Sequence, residues 1–127
     1  MTLSQSMEDY LEAIFVLDKE KRAVRVKDVS EKLGVTMPSV NGALKNLERK
    51  GLIHHEKYEY IELTEKGTET AAQIATRHRV IFQFLNDIIG VDAETSEKDA
   101  CKIEHVLSNK TMQLLTDYID KQSQASK

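Results

Sequence analysis

Two short amphipathic helices on either side of a glycine constrain the fold of this chain more than any other sequence feature. The first predicted helix covers Val26–Leu33 and ends at Gly34, because glycine adopts the left-handed conformation at which helices stop. Thr36 is expected to cap the second helix, which tolerates Pro38 in its first turn and continues to Gly51. Two helices joined by such a short turn are typical of a helix-turn-helix.

The two faces of the second helix differ in chemistry. One face is apolar and has to pack against a core; it carries Val40, Ala43, Leu44 and Leu47. The opposite face has small residues, amides and cations and no central carboxylate: Pro38, Ser39, Asn41, Gly42, Lys45, Asn46 and Arg49. Glycine costs about 1 kcal/mol relative to alanine inside a helix, so Gly42 indicates close approach of another backbone, as in a DNA major groove. An ordinary solvated face is the alternative.

A predicted β-hairpin follows this helix in the segment LIHHEKYEYIELT, with a tight turn near Tyr58 and Glu59. A hairpin after a recognition helix is a wing. His54 and His55 occupy adjacent strand positions that face opposite ways, so we interpret them as wing residues and not as ligands. The predicted fold class is mainly α, with an N-terminal winged helix-turn-helix.

The remaining segments are predicted to be helical. A first helix is expected over about residues 5–19, a long one from Glu69 to Ile89, and two more over about 94–107 and 110–121. The polar tail KQSQASK is predicted to be frayed or disordered. The C-terminal apolar positions are expected to bury against each other and against a second copy of the chain: Ile81, Leu85, Ile88, Val106, Leu107, Leu114, Leu115 and Ile119.

Charge is unevenly distributed along the chain. The net charge is −3, but residues 21–57 carry nine cations and four anions, which leaves +5 there and −8 elsewhere. A basic segment in an acidic chain is typical of a DNA-binding element. The single cysteine cannot form an internal disulfide, and neither a signal peptide nor a membrane-spanning segment is recognisable. We therefore expect a cytoplasmic protein without a membrane partner.

A possible metal-binding pattern occurs near the C-terminus. Cys101, Glu104 and His105 form C-x-x-E-H, and this spacing places all three on one face of a helix. Thiolate, carboxylate and imidazole together suit a divalent transition metal. One helix cannot complete the coordination, so the further candidates lie on other helices: His78, Asp9 and Glu12. Taken singly, each of these residues has a structural explanation, such as a buried thiol or a solvated carboxylate.

The chain resembles the metal-dependent repressors that include the diphtheria toxin repressor and the manganese transport regulators. The resemblance runs through MEDYLEAIFVL, RVKDVSEKLGVTMPSVNGALKNLERKGLIHHEKYEYIELTEKG, RHRVIFQFL and DACKIEHVLS, which together cover nearly the whole chain. It implies a winged helix-turn-helix domain over residues 1–66 and an all-helical metal-binding and dimerisation domain over 67–127, without the SH3-like domain of longer members.

The resemblance also implies functional residues. The implied metal ligands are Asp9, Glu12, His78, Cys101, Glu104 and His105. The implied base and backbone contacts are Thr36, Pro38, Ser39, Asn41 and Gly42, with Lys27, Lys45 and Arg49 near phosphates.

The ligand set is a hybrid of two types. Asp9 is typical of manganese-type members, whereas Cys101 is typical of iron-type members. The second metal site of iron-type members uses a Glu and a His at the positions of Phe82 and Glu97, so that site is not expected in its usual form. The thiolate favours Fe(II), Co(II) or Zn(II), and the carboxylates favour Mn(II). Fe(II) is the first candidate.

The predicted function is a repressor, not an enzyme, that binds palindromic promoter DNA as a metal-loaded homodimer. One alternative is a winged-helix regulator of a small organic effector, with a structural Cys/Glu/His cluster. A metallohydrolase or thiol enzyme using Cys101 and His105 is a more distant alternative, because their spacing aims both at a shared ion and not at each other.

Overall fold

The computed structural model describes residues 3–56 and 60–125 and divides the chain into two compact units, Met1–Gln73 and Ile74–Lys127. The elements in chain order are α1 Gln5–Lys21, α2 Val26–Leu33, α3 Met37–Arg49, β1 Ile53–His55, β2 Ile61–Leu63, α4 Glu65–Gln83, a π-helical segment Phe84–Ile89, α5 Ala93–Ile103 and α6 Asn109–Ala125. The boundary between the units therefore falls within α4. The domain boundary expected between Lys66 and Gly67 stays a prediction.

Local sequence signals fix the helix-turn-helix of the first unit. Gly34 ends α2 at φ +67°, where a side chain would be strained. The hydroxyl of Thr36 accepts a hydrogen bond from the Ser39 N–H at 3.2 Å, which caps α3 as expected. The prediction of a winged helix-turn-helix in a mainly α chain is confirmed.

The core of the first unit forms where α1, α2 and α3 meet. Its fully buried side chains come from all three helices and from the hairpin that follows them: Leu11, Ile14, Val29, Val40, Leu44, Leu47, Leu52, Ile53 and Ile61. Each buried aliphatic side chain of this size stabilises the fold by about 1.5–3 kcal/mol. The inner face predicted for α3 is therefore the one that packs, which leaves the polar face of α3 outside.

The hairpin is a two-stranded antiparallel sheet in which Ile53 pairs with Leu63 and His55 with Ile61. Val24, before α2, joins its edge through an isolated bridge to Ile61. His54 is exposed and His55 is half-buried, in line with their alternation along β1. The turn predicted near Tyr58 and Glu59 lies outside the described residues.

Helix α4 begins four residues before the predicted start at Glu69. The Gly67 N–H donates to the Thr64 hydroxyl at 3.0 Å, so Thr64 caps the helix. A Cβ atom at Gly67 would lie 1.8 Å from the Leu52 carbonyl oxygen, well inside van der Waals contact. Gly67, which lies before the predicted start, is thus inside the helix and is required there by a close approach of the Leu52 backbone.

The second unit has its own core of Val80, Ile81, Ala100, Met112 and Ile119, with partly buried apolar residues packed around it. Among the positions expected to be buried, Val106 and Leu114 are 77% and 60% exposed. Two predicted helix ends were wrong. Helix α5 stops at Ile103, not near Leu107, and the chain turns over residues 104–107. The Ser108 hydroxyl then accepts a hydrogen bond from the Thr111 N–H and caps α6. Helix α6 continues to Ala125, into the tail predicted to be frayed.

The side chain of Asp28, in the first turn of α2, accepts hydrogen bonds that connect this turn to the end of α1. One carboxylate oxygen accepts from the Lys21 Nζ at 2.9 Å and the other from the Arg25 N–H at 3.0 Å. The hydrogen bond from Lys21, then that from the Arg25 N–H, lowers the pKa of Asp28. This stabilisation is complete above the unfolded-state pKa of about 4 and is lost as the pH falls through the lower folded-state pKa.

We expect Asp28→Asn to lower the free energy of unfolding by about 1 kcal/mol at neutral pH, and by less in acid. Urea unfolding between about pH 2 and pH 7 measures both effects. The control is Asp18→Asn, at an exposed position near the end of α1. Equal stability of Asp28→Asn and the parent protein at pH 7 would show that these bonds do not stabilise the fold.

Candidate metal centre

Three potential ligands from two helices converge in the second unit. Helix α4 supplies His78, and α5 supplies Glu97 and Cys101, which lie one turn apart. The His78 Nε2 is 2.9 Å from a Glu97 carboxylate oxygen, and the Cys101 Sγ is 3.9 Å from the His78 Nδ1. One donor atom from each residue lies within 4.8 Å of the other two. Imidazole, carboxylate and thiol thus share one small volume.

A buried carboxylate lies next to this cluster. Glu104 is only 2% exposed, and one of its oxygens is 3.3 Å from the His78 Nδ1. Its other oxygen is 3.4 Å from the Nε2 of His105. Arg77, beside His78 on α4, donates to the Glu104 main-chain carbonyl and so fixes the turn that carries this carboxylate. Within the second unit, His78 is the residue that links Glu97 and Cys101 to Glu104.

The helix face predicted for the C-x-x-E-H pattern is only partly present. Cys101 is in α5, but Glu104 caps that helix and His105 follows in a turn. Cys101 and Glu104 nevertheless both lie near the same nitrogen of one imidazole, the Nδ1 of His78, at 3.9 Å and 3.3 Å. The prediction of one continuous helix through His105 was therefore wrong, although Cys101 and Glu104 do converge on His78.

The carboxylates control the charge of His78. The carboxylate of Glu104, and secondarily that of Glu97, raises the pKa of His78 to about 9, although partial burial acts in the opposite direction. At neutral pH, His78 is therefore an imidazolium between two acids. A metal ion that bound this nitrogen would have to displace a proton.

The donor set fits a divalent transition metal. The second unit offers one thiol, two imidazoles and two carboxylates, from Cys101, His78, His105, Glu97 and Glu104. This mixture of nitrogen, oxygen and sulfur donors suits first-row transition-metal ions. The carboxylate of Glu104 is almost completely buried, and burying a carboxylate is costly unless a nearby cation compensates its charge. In the metal-free chain, protonated His78 provides that compensation.

Glu97 was not among the predicted ligands. Its four-residue spacing from Cys101 is a signal that could have identified it, because residues at i and i+4 share a helix face. Asp9 and Glu12 lie on α1, in the first unit, and both are half-buried. Their assignment as ligands stays a prediction.

The residues expected to contact DNA share the outer face of the helix-turn-helix. All of those expected on α3 and at its cap are exposed: Thr36, Pro38, Ser39, Asn41, Gly42, Lys45 and Arg49. A Cβ atom on Gly42 would meet nothing within 4 Å, so the fold itself does not require glycine there. Lys27 is exposed on α2, where its Nζ is 4.0 Å from Glu31. This arrangement leaves the polar face of α3 open to another molecule.

Two domain families match this chain over most of its length. Residues 2–61 match the N-terminal DNA-binding domain of the iron dependent repressors, and residues 64–125 match their metal binding and dimerisation domain. The chain belongs to the iron-dependent repressor family. It therefore carries the DNA-binding domain of a metal-dependent transcriptional regulator, joined to the domain in which this family of repressors binds metal and dimerises.

Individual relatives agree with this membership. The chain is 38% identical over 120 residues to an HTH-type transcriptional regulator of Methanocaldococcus jannaschii, covering 94% of this chain and 96% of that protein. It is 39% identical to the HTH-type transcriptional regulator MntR of Bacillus subtilis, over 90% of this chain and 80% of MntR.

The fold of this chain also matches that of a solved structure. The manganese regulator SloR superimposes with a TM-score of 0.78 at 28% identity, covering 94% of this chain and 55% of the SloR chain. The present chain thus spans about half the length of that solved protein. Among the described residues, no helix has the length and apolar composition needed to cross a membrane.

A Co(II) titration tests whether the cluster around His78 binds metal. We expect a thiolate-to-cobalt charge-transfer band in the near ultraviolet, which Cys101→Ser removes, because Cys101 is the single cysteine. Glu97→Gln should weaken Co(II) binding by about tenfold or more. Glu94→Gln, at an exposed position on the same helix, is the matched control and should bind normally. Co(II) binding without the band would exclude the thiolate from the site.

Proposed function

We propose that this chain represses transcription by binding a palindromic promoter operator as a homodimer when it carries a divalent transition metal. In this proposal it works in the cytoplasm and controls metal-uptake genes. The observation that carries the proposal is the convergence of His78, Glu97, Cys101 and Glu104 in the unit that matches the family's metal-binding domain.

The outer face of α3 supports the choice of duplex DNA as partner. Helices of this kind enter the major groove with one face, while small residues permit close approach and cations meet phosphates. Asn41 can read a base edge through its amide, and Lys45 and Arg49 lie one turn apart beyond it. Because these side chains are exposed, they need no rearrangement of the first unit to reach a groove.

The proposed ligand set joins residues from both units. His78, Cys101, Glu104 and His105 come from the second unit, and Glu97 is added to them on the geometry described above. Asp9 and Glu12 on α1 are included because the family resemblance assigns them to the same centre. The bound ion would supply positive charge to several carboxylates at once. Without the ion, protonated His78 offsets only part of the repulsion among these four carboxylates.

The metal preference follows from the hardness of the ligands. Cys101 supplies a soft thiolate, which favours Fe(II) over Mn(II), with Co(II) and Zn(II) as further candidates. The relatives named above include MntR and a manganese regulator, whose names favour Mn(II). We keep Fe(II) as the first candidate on the basis of the thiolate, and the experiment below ranks all four ions.

Linkage explains how metal occupancy can control DNA binding. An ion present at about 100 times its dissociation constant stabilises the conformation that binds it by roughly 2.7 kcal/mol, which shifts a two-state equilibrium about a hundredfold. Two recognition helices of a dimer must enter major grooves about 34 Å apart, one turn of duplex. In this proposal the ion is bound by residues of both the DNA-binding domain and the dimerisation domain. The distance between the two recognition helices of the dimer therefore depends on whether the ion is bound.

Exposed apolar side chains in the second unit support a homodimer. Val106 and Leu114 are largely exposed, and Tyr118 lies one turn after Leu114 on α6 with 44% exposure. Such residues remain accessible to water in a single chain, and their burial by a second copy would stabilise a dimer. We propose that they belong to the dimer interface.

Fluorescence anisotropy with a labelled palindromic promoter fragment tests the proposed function. We expect weak binding with chelator and tight binding with Fe(II) under anaerobic conditions, then Mn(II), Co(II) and Zn(II) in turn. Cys101→Ala combined with His105→Ala should abolish the metal response, whereas Glu94→Gln should retain it.

Tight operator binding by the double variant, with no metal bound, would contradict the coupling of metal to DNA. Binding that ignores chelator but is released by an organic compound would support the alternative regulator, which responds to a small organic effector.

Gly42→Ala separates DNA contact from fold stability. The added methyl meets nothing in the chain, and alanine favours a helix by about 1 kcal/mol, so the free energy of unfolding should rise. The same methyl faces the proposed DNA groove, so operator affinity should fall by about tenfold. Urea unfolding and anisotropy measure the two effects. Unchanged affinity would show that no DNA backbone approaches this position.

A further inference from the structure

A second basic site lies outside the α3 face, where the hairpin meets the start of α2. The Arg25 guanidinium donates a hydrogen bond to the Tyr60 hydroxyl at 3.0 Å and also lies over the Tyr60 ring, 4.9 Å from its centre. Both side chains are exposed. Neither residue is among the DNA contacts that the family resemblance implies.

Sheet register explains why these two side chains meet. The Ile61 N–H donates to the Val24 carbonyl at 2.8 Å, which pairs Val24 with Ile61 in antiparallel orientation. Antiparallel pairing then places Arg25 opposite Tyr60. Val24 is 1% exposed and points into the core, so the next side chain along the strand points out toward solvent.

The local charge favours an anion at this position. Arg25 immediately precedes α2, whose first-turn N–H groups carry partial positive charge. The nearby carboxylate of Asp28 already accepts bonds from the Lys21 Nζ and the Arg25 N–H, so much of its charge is compensated. A guanidinium has five N–H donors, and the bond to Tyr60 uses one of them. The remaining donors are available to a phosphate.

We propose that Arg25, held in place by Tyr60, is an additional contact to a DNA phosphate beside the groove that α3 enters. This rests on the proposed DNA-binding function. In helix-turn-helix proteins the helix before the recognition helix crosses the phosphate backbone, and that helix is α2 here. Tyr60 acts as a positioning residue: stacking fixes the orientation of Arg25 before DNA arrives, which reduces the entropy lost on binding.

The test measures operator affinity of the metal-loaded protein at several salt concentrations. Arg25→Gln should weaken binding and reduce the slope of log K against log salt by about 1, the value for one lost phosphate contact. Its deficit should therefore shrink about threefold between about 50 and 200 mM salt. The deficit should be the same on operator and on unrelated duplex, because phosphates carry no base sequence.

Variants of Tyr60 distinguish a positioning role of this residue from the effect of the Arg25 charge. Tyr60→Leu removes the ring and the hydroxyl but keeps Arg25, so it should lower affinity about twofold to tenfold with nearly the parental salt slope. Tyr60→Phe keeps the ring and should lose less. Arg22→Gln removes a cation at an exposed position three residues before Arg25, and it should change the slope less than Arg25→Gln does.

If Arg25→Gln had the same slope of log K against log salt as the parent protein, the proposed phosphate contact would be overturned, whatever the stability of the variant. Equal slope changes in Arg22→Gln and Arg25→Gln would also overturn it, because they would indicate net charge alone. Parental affinity in Tyr60→Leu would overturn the positioning role of Tyr60. Failure of the parent protein to bind duplex with any metal would instead refute the proposed function, and the phosphate contact with it.

Discussion

The packing of the inner face of α3 determines most of what the first unit can do. Val40, Leu44 and Leu47 are almost completely buried, so the rotation of α3 about its axis is fixed by apolar contacts. Asn41, Lys45 and their neighbours lie on the side of α3 opposite these buried residues. The same apolar contacts therefore turn them toward solvent. The surface that we propose contacts DNA is therefore a consequence of the core.

The sequence predicted this part of the fold well because the signals are local. Gly34 has to adopt a left-handed conformation, and Thr36 has to cap the next helix, and neither requirement depends on distant parts of the chain. The start of α4 was harder to predict. Thr64 caps that helix through a local hydrogen bond, but the need for glycine at position 67 comes from the Leu52 carbonyl, fifteen positions away in the chain, which no local pattern encodes.

The candidate metal centre shows the same division between local and distant information. The C-x-x-E-H spacing predicted that Cys101 and Glu104 lie close together, and both are near His78, but α5 ends at Ile103 and Glu104 caps it. Tertiary packing brings the imidazole of His78, from another helix, close to both of them, and Glu97 lies at its other ring nitrogen. Spacing on one helix can suggest ligands, whereas the set that shares one volume depends on how helices pack.

The contact between Gly67 and Leu52 has a genetic consequence. The Leu52 side of the contact is a main-chain carbonyl, which every amino acid possesses, so the contact does not depend on side-chain identity there. The Gly67 side admits no side-chain atom at all. Every missense change in that glycine codon therefore places an atom where the backbone of Leu52, just before β1, already lies, and the position has no conservative replacement.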